Sequence, residues 1–167
     1  METIFLKGNK CHTYGSLPKI GETAPCFHLV SSDLSEISCQ DFKGKRIVLN
    51  IFPSLDTEVC AASVRRFNKE AASMKDCEVI CVSMDLPFAS QRFCTANGIN
   101  NVIVASAFRS PSFWEKYGIK IIDGPLAGLL ARSVVVIDKD QKIISTQLVE
   151  EITNEPLYDD ILQLLKQ

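Results

Sequence analysis

The chain predicts a three-layer α/β sandwich on a mixed sheet, and three features of the sequence carry that expectation. Strand-like apolar runs alternate with helix-like runs through the middle of the chain. The run Ile47-Val48-Leu49-Asn50-Ile51-Phe52 is apolar on both faces except at Asn50, as a central strand covered from both sides should be. The last third holds two strand-like runs joined by Asp138-Lys139-Asp140-Gln141 and then a final helix, which reads as an antiparallel pair packed under a helix.

In order, Thr3–Leu6 and Cys11–Tyr14 flank Gly8-Asn9, a pair suited to a tight turn, and so predict an N-terminal β-hairpin. Two short strands, Phe27–Val30 and Ser35–Ser38, follow Pro18 and Pro25. The central strand Ile47–Phe52 hands over to a helix expected over Thr57–Met74, and a strand over Val79–Met84 comes next. A second helix begins at Asp85-Leu86-Pro87 and is stopped near Gly98. Strand Val102–Ala105 precedes a short helix with Ser110 at its cap, Pro111 in its first turn and Gly118 just past its end. The loop Asp123–Gly128 leads to strands Ser133–Ile137 and Lys142–Leu148. The closing helix, Asn154–Leu165, is expected to set Leu157, Ile161 and Leu164 or Leu165 on one face.

With 167 residues, one domain over 1–167 is expected. Hydrophobic residues at 46% and charged residues at 23% fit a globular protein with a filled core. A net charge of −2 with scattered Lys and Arg leaves no electrostatic footprint for nucleic acid or an anionic membrane. No apolar run approaches the ~20 residues that cross a bilayer, and Glu2 stands where a signal peptide carries positive charge. A cytoplasmic location is the expectation. The seven cysteines include no C-x-x-C pair, and Cys11-His12 and Cys26-Phe27-His28 lack partners at metal-closing spacing, so no metal and no cofactor are expected. Four residues of strand hold Cys77 and Cys81 about 13 Å apart, too far for a disulfide.

The chemistry concentrates at Pro53-Ser54-Leu55-Asp56-Thr57-Glu58-Val59-Cys60. This stretch puts Cys60 in the first turn of a helix that leaves a buried strand, where free N–H groups and the helix dipole favour thiolate. Thr57 can bring a hydroxyl alongside the sulfur. Arg132, at the start of the apolar run Ser133-Val134-Val135-Val136, reads equally as a guanidinium for that thiolate or as a surface arginine capping a strand. His12 and His28 lie in the N-terminal region with no Asn or Asp recognisably aligned with either, so no acyl-transfer pair is expected. A thiolate with neither base nor metal suits redox chemistry: peroxide oxidises it to a sulfenic acid, which a second thiol condenses with. Cys94, on the second helix, is the candidate for that thiol; otherwise it is a helical cysteine packed on the sheet.

At these residues the chain resembles the thiol peroxidases, the atypical two-cysteine branch of the peroxiredoxins. The resemblance runs through nearly the whole chain. It rests on P-x-x-x-T-x-x-C filled by Pro53, Thr57 and Cys60, on Asp85-Leu86-Pro87-Phe88 through Cys94, on Phe108–Phe113, and on Asp123-Gly124-Pro125-Leu126-Ala127-Gly128 through Ser133. It implies a thioredoxin-like fold with an N-terminal β-hairpin extension. Cys60 is then the peroxidatic residue and Cys94 the resolving one, joined within one subunit. Thr57 would hydrogen-bond the thiolate and the hydroperoxide, Arg132 would stabilise the thiolate and polarise the O–O bond, and Pro53 would shield the sulfur from water. The resemblance further implies reduction of hydrogen peroxide and organic hydroperoxides, recycling by thioredoxin, and a homodimer. Glu58 departs from the family's usual uncharged residue, and its charge opposes a nearby thiolate, so Glu58→Gln is expected to hold more Cys60 as thiolate. Cys11, Cys26, Cys39, Cys77 and Cys81 match no family role. The rival readings are a thiol–disulfide oxidoreductase, which the missing C-x-x-C disfavours, and a peroxide-sensing relay or binding module with little turnover.

Overall fold

The computed structural model describes residues 1–166. Its first element is a hairpin of β1 (Thr3–Leu6) and β2 (Asn9–His12), paired in register from Thr3 with His12 to Leu6 with Asn9. The turn is Lys7-Gly8 and not Gly8-Asn9, because both of its residues take positive φ (51° and 81°), the backbone a two-residue turn needs to match strand twist. The hairpin forms a small sheet of its own.

The strands β3 (His28–Ser31) and β4 (Glu36–Ser38) make a second hairpin, and a 3-10 turn at Cys39–Phe42 follows. Ser38 and Asp41 cap that turn reciprocally. Then come β5 (Arg46–Ile51), α1 (Glu58–Ala71), β6 (Cys77–Ser83), α2 (Pro87–Asn97), β7 (Ile103–Ser106) and α3 (Pro111–Tyr117). The chain closes with β8 (Ser133–Ile137), β9 (Ile143–Leu148) and α4 (Tyr158–Leu165). Strands β4-β3-β7-β6-β5-β8-β9 form one seven-stranded mixed sheet, in which β5, β6 and β7 run parallel and β8 and β9 antiparallel to their neighbours. This is the expected mixed α/β sandwich.

Period-two alternation in the central strands builds the two faces. Ile47, Leu49 and Ile51 of β5 join Ile80, Val82 and Val135 on one side, where Phe113 and Tyr117 of α3 cover them. Val48, Val79, Cys81, Val134 and Val136 lie on the other, covered by Val64 and Phe67 of α1 and by Ile161 and Leu165 of α4. Cys60 belongs to this second cluster, and Phe93 and Cys94 of α2 pack against it.

Two helix expectations shift. α1 starts at Glu58, with Thr57 as its N-cap, and ends at Ala71. α4 starts four residues later than Asn154 predicts, because the Gln147 side chain accepts from Leu157 N–H (3.0 Å) and donates to its carbonyl (3.2 Å), holding that residue outside the helix. Leu157 is therefore exposed, and Tyr158, Ile161 and Leu165 form the packed face.

The free thiols of Cys77 and Cys81 lie against the same core. Burial pushes them up from 9.0 to about 11 and about 12, respectively. In that window the folded chain binds more protons than the unfolded chain, so stability is full below pH 9 and falls as pH rises. The loss is about 1.4 kcal/mol per pH unit for each thiol while its folded and unfolded forms differ in protonation. The urea midpoint is expected to drop between pH 9 and 11, and to drop less steeply in Cys81→Ala. Parallel slopes for the two proteins would contradict this.

Candidate active site

The site is built at the sheet end where β5 stops. Ile51, the last residue of β5, pairs with Ser133, the first of β8, so Arg132 stands directly beside the segment that carries the chain into α1. Phe52 and Pro53 are buried, and Cys60 is the third residue of the helix, with 0% of its surface exposed. Arg132 is 2% exposed and lies alongside it, its Nη2 3.2 Å from Cys60 Sγ. The guanidinium donates Nε–H to the Ile152 carbonyl at 2.9 Å, and its Nη1 has no hydrogen-bond partner. Among the described residues no carboxylate pairs with Arg132. A buried cation without a counter-charge is costly. The group at its side able to supply negative charge is the Cys60 thiol.

Ile152 was invisible to sequence reasoning because it acts through its backbone. The N-terminal hairpin holds it. Phe5 donates to the Glu150 carbonyl and accepts from Ile152 N–H (2.6 and 2.8 Å), and the Glu151 carboxylate accepts from the turn amides of Lys7 and Gly8. These amides and the Thr153 donors hold the Glu151 carboxyl down to about 2. The hairpin extension thus braces the carbonyl that orients the arginine.

Thr57 sits at the N-cap, exposed, and donates its hydroxyl to the Ser54 carbonyl at 3.0 Å; that proton is not directed to Cys60. Glu58, the first helical residue, is exposed to solvent. Cys94 is a free, half-buried thiol on α2, held above its ordinary value by burial. It shares a face of the sheet with Cys60. Only Pro87 and Ser90 of α2 are buried, so this helix is the weakly held wall of the site.

Two cysteines with no expected role are joined. Cys26 and Cys39 form a disulfide, with Cα atoms 5.3 Å apart, that clasps the open end of the β3–β4 hairpin. Cys39 packs against the cluster on the sheet face opposite Cys60. His12 also has a partner that the sequence did not indicate: its Nδ1 lies 2.6 Å from Asp123 Oδ2, a pair brought together across 111 positions. This pair ties the hairpin to the loop before β8.

A sequence model of the Redoxin family matches residues 19–162. Curated thiol peroxidases align along the whole chain: that of Corynebacterium glutamicum is 52% identical over 165 residues, 99% of each protein, and that of Mycobacterium bovis 53% over the same span. The chain belongs to the thiol peroxidase family. A solved peroxiredoxin-like protein from Aquifex aeolicus superposes with a TM-score of 0.94 at 44% identity, covering 99% of this chain and 96% of that one. A thiol peroxidase from Chromobacterium violaceum has the same fold at a TM-score of 0.87 and 20% identity, with coverage of 98% and 95%. The superposition on the Aquifex aeolicus protein spans 99% of the chain, so it takes in both the N-terminal hairpin and the strand–loop–helix segment that carries Cys60.

Proposed function

We propose that the chain reduces hydrogen peroxide and organic hydroperoxides to water and alcohols, with Cys60 as the attacking thiolate. The observation that carries this reading is the buried guanidinium of Arg132, 3.2 Å from the sulfur and with Nη1 unspent. One N–H group stabilises the thiolate, and the other is available to a peroxide oxygen. The thiolate attacks the terminal peroxide oxygen and the O–O bond breaks. The departing alkoxide takes a proton to leave as alcohol, and Cys60 becomes a sulfenic acid. Thr57, with its own proton given to Ser54, presents an oxygen that can accept the hydroperoxide O–H. Pro53, buried at the strand exit, keeps water from the sulfur.

Cys94 then attacks the sulfenic sulfur, releasing water and forming a Cys60–Cys94 disulfide within the subunit. Loosening of the weakly packed α2 frees Cys94, and leaving its apolar site removes the burial that holds its thiol protonated. Thioredoxin's dithiol reduces the disulfide and closes the cycle. The protein acts in the cytoplasm as a homodimer. Leu86, Phe88 and Phe108 are exposed after the adjacent parallel strands β6 and β7, an apolar surface suited to a second copy.

Coupled turnover tests the reading. With thioredoxin, its reductase and NADPH, the protein should consume hydroperoxide over many cycles, and Cys94→Ser should lose that turnover. Oxidation of Cys60 that stops after one equivalent in the unmodified protein would instead assign a sensor.

A further inference from the structure

We propose that Asp85 is the positioning residue of the peroxide site, a bracket that locks the Cys60 loop to the strand end preceding the Cys94 helix; this rests on the reading of Cys60 as the peroxide-attacking thiolate. Asp85 lies between β6 and α2, and its hydrogen bonds go to neither cysteine. Its Oδ1 accepts the Ser54 hydroxyl at 2.9 Å, and its Oδ2 accepts Leu55 N–H at 2.7 Å and the Ser83 hydroxyl at 2.7 Å. Ser83 is fully buried at the end of β6, and its oxygen accepts Asp85 N–H at 3.2 Å, which fixes the carboxylate to the sheet.

The consequence runs through Ser54. Its hydroxyl accepts Asp56 N–H at 3.1 Å, and its carbonyl accepts both the Thr57 hydroxyl (3.0 Å) and Thr57 N–H (3.2 Å). Every anchored group between Pro53 and the helix is thereby referred to one carboxylate. Released from it, Ser54 and Thr57 lose their registration against Arg132, whose own anchor is a separate one, the Ile152 carbonyl. Displacements near 1 Å in such an arrangement cost rate by about 100-fold. Asp85 also directly precedes Leu86, the N-cap of α2, so the start of that helix is pinned to the loop. Motion that delivers Cys94 must then come from the helix downstream of the pin.

The test measures single-turnover oxidation of Cys60 by hydrogen peroxide in Asp85→Ala, Asp85→Asn and Cys60→Ser, each well below its unfolding temperature. Asp85→Ala is expected to slow oxidation about 10–100-fold, while alkylation of Cys60 by iodoacetamide, which needs no peroxide geometry, slows no more than about threefold. Asparagine keeps an acceptor for Leu55 and Ser83 and can donate to Ser54, so Asp85→Asn should restore the rate to within about threefold of the parent. If Asp85→Ala does not fold, Asp85→Asn near the parent rate together with a slowed Ser54→Ala supports the bracket. Oxidation of Asp85→Ala at the parent rate, Asp85→Asn as slow as alanine, or equal losses toward both reagents overturns it. Cys60→Ser still consuming peroxide overturns the underlying reading of Cys60 instead.

Discussion

Cys60→Ser is expected to abolish hydroperoxide consumption, the largest effect that any single side chain here should produce. Serine fits the site and still offers an oxygen to Arg132, so the fold should survive. What is lost is the thiol that lies 3.2 Å from the buried Arg132 guanidinium, which has no carboxylate partner among the described residues. The remaining free thiols cannot substitute. Burial holds Cys77 near 11 and Cys81 near 12 and pushes Cys11 and Cys94 upward as well. At pH 7 a thiol at 11 is ionised in about one molecule in 10⁴ and one at 12 in about one in 10⁵. Peroxide consumption by stopped-flow should fall at least about 10³-fold, because only the thiolate attacks. A variant that keeps a tenth of the parent rate would place the chemistry on another cysteine.

Arg132→Met is expected to slow Cys60 oxidation by about 10²–10³-fold, the loss typical of removing one preorganised donor from a developing charge. Methionine roughly preserves the volume of the side chain and takes away both the Nη2 contact to sulfur and the free Nη1. Stability should not follow activity. A buried charge exchanged for an apolar side chain is often neutral or stabilising, although the Ile152 carbonyl loses its donor. The expected pair of results is a melting temperature within a few degrees of the parent and a much slower reaction. Slowing in proportion to a large fall in melting temperature would make Arg132 a structural residue.

Much of this site is legible in the sequence, because its parts obey local rules. The run Ile47–Ile51, apolar on both faces except at Asn50, marks the central strand, and Ser110, Pro111 and Gly118 punctuate α3 as expected. Cys60 follows from the same reasoning, as a residue in the first turn of a helix leaving a buried strand. Arg132 was ambiguous because its partner is 72 positions away; only the β5–β8 register decides that it faces the sulfur. Three features leave no local trace. The Ile152 carbonyl has no side-chain signature, the Cys26–Cys39 pairing depends on where the β3–β4 hairpin ends, and Asp85 reads as the start of a helix although its carboxylate serves another loop. Leu157 fails for a related reason: its helical spacing is sound, but Gln147 captures its backbone first.

In the proposed cycle Cys60 and Cys94 form the redox pair, and the Cys26–Cys39 disulfide, on the opposite face of the sheet, takes no part. The most direct measurement treats the protein, with Cys60 and Cys94 reduced, with one equivalent of hydroperoxide and maps its disulfides by peptide mass spectrometry. A new Cys60–Cys94 linkage in stoichiometric yield is expected, with no change at Cys26–Cys39. Peroxide consumed with Cys60 and Cys94 both still recovered as free thiols would contradict it.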